Sequence, residues 1–332
     1  MRHPKPLASL SLDLDNQWTY MKIHGDAGWD TFPSYLETVV PRTLSLLDEL
    51  GLKITYFIIG QDAALAKNHA ALRAIAAAGH EIGNHSFDHD SWLHLHSDAA
   101  IEQDIAQAET VIEQATGQRP VGFRGPGYSL SESVLQILAQ RGYQYDASTF
   151  PTFLGPLARA YYFMTAKGLT PTEKEQRKML FGGFRDGFQP LKPYRWLATE
   201  QPLVEIPVTT MPIFKVPIHF SYILYLAGYS SAIALLYFRL ALLLCKLTKT
   251  QPSLLLHPLD FLDESDAPEL AFFPAMQLPS YKKRIVLRKA LKMMGRQFEI
   301  LPMGAHARAL QQQRPQRQGM NPKFQTPIAR LA

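Results

Sequence analysis

The sequence predicts an α/β barrel, a distorted ring of seven or eight strands with helices packed outside it. Three observations point there. Short β-rich runs alternate with longer helical patterns through eight βα beats. Every residue suited to chemistry falls at or just past the C-terminal end of one of those strands, where a βα barrel builds its reactive face. The chain has 332 residues, 46% of them hydrophobic and 19% charged, which is enough for one large core.

The elements follow in order. Residues 8–14 alternate small, apolar and polar side chains and run into an acidic loop, as a first strand would. Residues 33–50 carry Leu36, Val40, Leu44 and Leu47 at helical spacing and stop at Gly51, so 54–59 is the second strand. Asp62 is a candidate N-cap for an alanine-rich helix reaching Ala78, Gly79 ends it, and 80–85 is the third strand. A helix over 98–115 and Gly117 lead to a strand at 121–124 and a loop at 125–128. A helix at 131–141 and Gly142 lead to a strand at 143–146. Regularity lapses over 150–202, rich in proline, glycine and aromatics, which reads as an insertion after the fifth strand. The repeat resumes with a strand at 203–208, a helix within 222–247, a strand at 254–257, a helix near 282–295 and a strand at 298–301. The expected organisation is a single barrel over 1–310 and a disordered tail over 311–332, rich in Gln, Arg and Pro.

Composition narrows the classes. Cys245 is the lone cysteine, so no internal disulfide forms. The first fifteen residues have basic side chains but no apolar signal stretch, and a cytoplasmic location is expected. The net charge of +5 is concentrated in 282–296, which reads as a solvated helix face, so no nucleic-acid partner is expected.

The chemistry-bearing pattern is Asp13 and Asp15 in SLDLDN, followed by His85 and His89 in NHSFDH. A carboxylate with two imidazoles can hold a divalent metal and leave a position open for water, and a spare carboxylate can take that water's proton. A lone D-x-D is often a loop cap and an H-x-x-x-H pair can be a polar helix face; together, in this order, they favour metal binding. His80, His94, His96 and His219 read as structural or surface residues, and Asp88 as supporting or solvent-facing.

SLDLDN, HSFDH, FRGPGYS, YDAS and LLLHPLDF occur in the order and rough spacing of the polysaccharide deacetylases (NodB homology, carbohydrate esterase family 4), which the chain resembles from about Ala8 to Leu310. The resemblance implies a NodB-like distorted (β/α)7-8 barrel that hydrolyses an N-acyl group on an amino sugar. Carried over by position, Asp13 is the general base and Asp15, His85 and His89 hold the metal. Arg124 orients the base, and the Tyr128 backbone N–H helps bind the oxyanion. His257 is the general acid, with Asp146 as its electrostatic partner. The implied cofactor is one divalent ion, zinc first, with cobalt, nickel and manganese suited to the same donors. Two departures stand out. Leu14 separates aspartates that are adjacent in most members, which looks like a D-x-D branch acting on small or lipid-linked substrates as well as polymers. Phe150 stands where the family usually has tryptophan, and 209–220 has no assigned counterpart.

The expected substrate is therefore an N-acetylated amino sugar in a polysaccharide or glycoconjugate precursor. The alternatives are a related C–N hydrolase acting on a formyl or small cyclic amide, and a silent carbohydrate-binding barrel. Residues 222–244 are apolar but broken by Gly228, Ser230, Ser231 and Arg239, and read as a barrel-packing helix. The functional alternative is that this surface and the basic stretch 281–298 lie against a bilayer, giving access to a lipid-linked sugar.

Overall fold

A computed structural model describes residues 4–157, 160, 183–196 and 203–312. The chain opens with β1 (Leu7–Asp13), α1 (Gln17–His24), α2 (Leu36–Glu49) and β2 (Thr55–Ile58). There follow α3 (Gly60–Ala64), α4 (His69–Ala77), β3 (Glu81–Asn84), α5 (Asp98–Thr116), β4 (Gly122–Phe123), α6 (Glu132–Gln140) and β5 (Tyr145–Asp146). The second half holds β6 (Tyr194–Arg195), β7 (Val204–Glu205), α7 (Phe220–Tyr229), α8 (Ser231–Leu247), β8 (Ser253–Leu256), α9 (Ser280–Gln297), β9 (Glu299–Leu301) and α10 (Met303–Gln312).

The strands form one curled sheet in the order β6-β7-β5-β4-β3-β2-β1-β8, with β9 added to the first half of β1. Every pairing is parallel except β6 with β7. The ring closes without a named strand pair: the Thr209 N–H donates to the Ser253 carbonyl at 2.9 Å, and the Ser253 N–H to Thr209 Oγ1 at 2.8 Å. The predicted α/β barrel is thus present.

β1 shows how the sequence sorts its faces. Ala8, Leu10, Leu12 and Leu14 join the main core with Leu36, Val40, Ile58 and Leu254. The alternate residues Ser9, Ser11 and Asp13 are also buried, but they face groups inside the ring. Ser9 Oγ meets His306 Nδ1 at 3.1 Å and Ser11 Oγ accepts from Arg124 at 2.8 Å. The interior is completed by Phe57, Tyr145, Val204, Ile206, Met303 and Ala307. α10 plugs the end of the ring where strands begin: the Met303 N–H donates to Thr55 Oγ1 and the Gly304 N–H to the Glu81 carboxylate. The opposite end is left to the reactive side chains.

Several elements differ from the sequence reading, among them α10, which was not expected after the strand at 298–301. α1 was not expected, because its buried residues Trp18, Thr19 and Met21 make no helical apolar stripe; Asn16 caps it and Gly25, at φ 92°, ends it. The helix expected over 62–78 is two, and Asp62 lies inside α3 rather than capping it. The helix expected within 222–247 is also two, broken at Ser230, whose backbone is extended and whose Oγ accepts from the Ile233 N–H. β6 and a 3₁₀ turn at Phe184–Phe188 lie within the expected insertion. The expected tail lies outside the described residues, apart from Gln311 and Gln312, which complete α10.

Candidate active site

The residues past β1 are pinned before they reach the site. Asn16 Oδ1 accepts from the N–H groups of Gln17 and Tyr35, and its amide donates to Asp62 Oδ1 at 2.7 Å and Ser34 Oγ at 2.9 Å. The Tyr35 hydroxyl donates to the Asp15 carbonyl at 2.5 Å. Asp62 is buried, which pushes its carboxyl up to about 7 despite hydrogen bonds from Asn16 and Trp18. This network fixes where Asp15 projects.

The histidine loop is held from two sides. Both oxygens of Asp104, on α5, accept from backbone N–H groups, Oδ1 from Phe87 at 2.9 Å and Oδ2 from Asp88 at 3.1 Å. The Ser86 N–H donates to Asn84 Oδ1, and the His89 N–H to Ser86 Oγ. Ser86, His89 and, in the facing loop, Tyr128 all lie in the left-handed region, at φ 62°, 54° and 64°. Each costs on the order of 1 kcal/mol or more for a non-glycine residue, so the surroundings must enforce the shape. The histidines therefore sit on a loop, and the polar-helix-face reading does not apply.

Asp15 Oδ1 lies 3.3 Å from His85 Nε2 and 3.1 Å from His89 Nε2. His85 Nδ1 donates to the Arg124 carbonyl at 2.6 Å, which orients the ring and leaves Nε2 as the nitrogen facing Asp15. One ligand atom from each residue fits within 4.8 Å of the others. Ligands of a tetrahedral ion at zinc distances stand roughly 3.3 Å apart, so these donors suit a divalent metal in spacing and type. Burial opposes ionisation of Asp15, but the charges and hydrogen bonds of His89 and His85 outweigh it and hold its pKa well below the ordinary range. Burial lowers His89; at His85 it is outweighed by Asp15 and Asp13, and that pKa is raised.

Arg124 joins this cluster to the second carboxylate. Its backbone carbonyl holds His85, while its buried guanidinium donates to Asp13 Oδ1 at 2.5 Å, Ser11 Oγ at 2.8 Å and the Ala147 carbonyl at 3.0 Å. The guanidinium also lies over the Phe57 ring, 4.4 Å from its centroid. Asp13, Asp15, His85, His89 and Arg124 therefore converge through direct contacts.

The remaining three residues sit differently from expectation. His257, half-buried past β8, has Nδ1 3.1 Å from Ser221 Oγ, and its backbone N–H donates to Asp260 Oδ2 at 2.9 Å. Asp146 makes no hydrogen bond or ion pair with it. Asp146 accepts from the Ser148 N–H and hydroxyl, faces Glu205, and through Ser148 supports the Gly125 N–H. The expected Asp146–His257 pair is thus replaced: Asp260 is the carboxylate beside His257, and Asp146 braces the turn carrying Tyr128. The Tyr128 N–H donates to the Gly125 carbonyl at 2.9 Å and closes that turn, so it is not the free oxyanion donor that was expected.

Other functional neighbours escaped the sequence reading. Tyr128 stacks on Phe150 at 4.7 Å, Phe150 meets His219 at 5.8 Å, and His219 meets His257 at 5.8 Å. His219 packs against Phe150, Tyr222 and His257 at the mouth, and burial pushes its pKa down to about 3. Lys283 reaches from α9 to donate to the carbonyls of Leu259 and Leu262, fixing the loop behind His257. Glu205 is buried in LVEI, where an acid amid apolar residues was the available signal.

Comparison with known proteins agrees with this architecture. Residues 25–145 match the polysaccharide deacetylase family model. A peptidoglycan deacetylase-like protein of Gibberella zeae is 35% identical over 126 residues, 37% of this chain and 35% of that protein. A peptidoglycan-N-acetylglucosamine deacetylase of Bacillus cereus is 29% identical over 140 residues, 42% of this chain and 61% of its own length. The chain thus spans about a third to three-fifths of these curated relatives. The crystal structure of a polysaccharide deacetylase, so described with reservation, from Mycobacterium smegmatis superposes with a TM-score of 0.61 at 18% identity, covering 98% of both chains. One from Pseudomonas aeruginosa PAO1 gives 0.58 at 18%, covering 95% of this chain and 97% of that one. Residues 25–145 are thus similar in sequence to the polysaccharide deacetylase family, and nearly the whole chain is similar in fold to these two structures.

Proposed function

We propose that this chain is a metal-dependent hydrolase that removes an N-acetyl group from an amino sugar in a polysaccharide or glycoconjugate precursor, releasing acetate. The observation carrying this reading is the pair of linked half-sites: an Asp15–His85–His89 triad of metal-type donors, and Asp13 held beside it by Arg124. The named functions of the curated relatives, peptidoglycan deacetylases, agree in bond type and substrate class.

The chemistry divides among the chain's own residues. Asp15 Oδ1, His85 Nε2 and His89 Nε2 would hold one divalent ion, zinc by donor type, which when bound polarises an amide carbonyl and acidifies water. Asp13 takes the proton of the attacking water. Its orientation is set by the 2.5 Å contact with Arg124, and that guanidinium is itself locked by Ser11 and the Ala147 carbonyl. His257 hands a proton to the departing amine from Nε2, since Nδ1 is engaged with Ser221 and Asp260 holds the backbone of the same turn. Phe150, His219 and Tyr222 form an aromatic wall beside His257, suited to exclude water and to seat the acyl group.

Acetate release from a panel of N-acetylated sugars, measured beside the metal content of the same preparation, tests this reading. Bound metal with acetate release supports it. Bound metal with release of formate or opening of a small amide would move the assignment to the related C–N hydrolases. Absence of both metal and turnover would leave a carbohydrate-binding barrel.

A further inference from the structure

α8 is apolar on two opposite faces, and among the described residues only one is covered. Ala234, Phe238, Ala241, Leu242 and Cys245 pack into the core. On the other side Ile233, Leu236, Leu240, Leu243 and Leu247 follow each other at three- and four-residue steps and stand open, Leu236 at 57% and Leu247 at 70% exposure. Such spacing makes one continuous stripe along the helix. A helix apolar all round is ordinarily buried, so this stripe calls for a cover.

The charges beside it say what kind. Arg239 and Lys246 are the ionisable side chains on the exposed side of α8, and between Glu205 and Asp260 the sequence contains no aspartate or glutamate. The neighbouring α9 presents Tyr281, Lys282, Ile285 and Lys289 to solvent in the same apolar-plus-cation pattern. Two copies meeting face to face through this stripe would set cation against cation with no acid from the helix to offset them. Anionic lipid headgroups over an acyl layer match both features.

The helix that carries the stripe packs against α7, which flanks the reactive mouth. α7 carries Ser221, the partner of His257, and on its exposed side Tyr222, Tyr225 and Tyr229, side chains suited to a headgroup boundary. Among the described residues no helix is long and apolar enough to cross a membrane, so contact through these helices lies along the surface.

We propose that the α7–α8 face docks this chain on an anionic bilayer, with the mouth beside His257 held at the headgroup level. Docking stands on the exposed face itself; its consequence, that the substrate is an amino sugar carried on a lipid, rests on the deacetylase reading above. Flotation of the full chain with phosphatidylcholine vesicles containing phosphatidylglycerol tests it. The chain is expected to float with these vesicles at low salt and to be released as salt rises. Leu236→Glu with Leu240→Glu and Leu243→Glu should weaken partition by about tenfold or more, with circular dichroism unchanged because all three positions face solvent. Arg239→Glu with Lys246→Glu, which spares the apolar stripe, should weaken binding to anionic vesicles alone. No flotation at low salt overturns the proposal. So does a dimer in sedimentation that the leucine variant splits, since the stripe would then be an interface between copies. Flotation reports docking whether or not the chain hydrolyses an amide, and acetate release from a soluble N-acetylated oligosaccharide reports hydrolysis without a bilayer, so the two readings fail separately.

Discussion

Replacing Glu205 by glutamine should remove a pH dependence of stability that the wild-type chain owes to one buried proton. Glu205 Oε1 accepts from the Thr149 N–H and Oε2 from Trp196 Nε1, both at 3.1 Å, and its carboxyl faces that of Asp146. Burial, and then the Asp146 charge, raise Glu205 well above its ordinary 4.5, and burial raises Asp146 as well. Two carboxyls this close in a dry site share a proton rather than both ionise. The unfolded chain gives that proton up above the ordinary value while the folded chain keeps it. The stabilisation is therefore complete below the ordinary carboxylate pKa and is lost as pH rises through the raised folded value, at about 1.4 kcal/mol per pH unit for one proton. The amide of Glu205→Gln has no proton to lose and one acceptor fewer, so at low pH the variant should be less stable by about 1–3 kcal/mol. Urea unfolding of both proteins from about pH 5 to about pH 8 measures the difference. The wild-type advantage should shrink with that slope and then reverse. A difference that stays constant across the range would refute a shared buried proton.

Arg124→Met strands Asp13 in a buried position and removes the donors to Ser11 and the Ala147 carbonyl, so unfolding free energy should fall by about 3–5 kcal/mol, read by urea titration. Gly125→Ala places a Cβ 2.0 Å from the Ser129 carbonyl oxygen, so the turn carrying Tyr128 must move. Because Arg124, next in the chain, holds His85 through its carbonyl, metal affinity by calorimetric titration should drop along with the melting temperature. Asp13→Asn should keep its metal by elemental analysis yet lose turnover by about a hundredfold or more, as expected for removal of a general base, whereas His85→Ala with His89→Ala should lose both.

Much of the fold was legible because its signals are local. The alternation in 8–14, the glycines closing helices at Gly51, Gly79, Gly117 and Gly142, and the apolar spacing of 33–50 are properties of short segments. Asp13, Asp15, His85, His89 and Arg124 were equally legible, since each sits at a strand end where the ring gathers its loops. What escaped depends on packing between distant segments. Nothing in the order of residues sets Glu205 against Asp146, or turns Asp260 rather than Asp146 toward His257, because β5, β7 and β8 meet only once the ring forms. The Tyr128 N–H was assigned by position in a motif, whereas its φ of 64° and the contact with Gly125 are set by the turn. His219 read only as a structural or surface residue, and its contacts with Phe150 and His257 form once α7 packs at the mouth.

In the proposed site Asp15, His85 and His89 would hold one cation beside the Arg124-held Asp13. Anomalous scattering from crystals grown with zinc measures this directly. One peak should appear at bonding distance, about 2.0–2.2 Å, from Asp15 Oδ1, His85 Nε2 and His89 Nε2, and should vanish in Asp15→Ala. A peak elsewhere, or none at saturating zinc with the three side chains ordered, would contradict it.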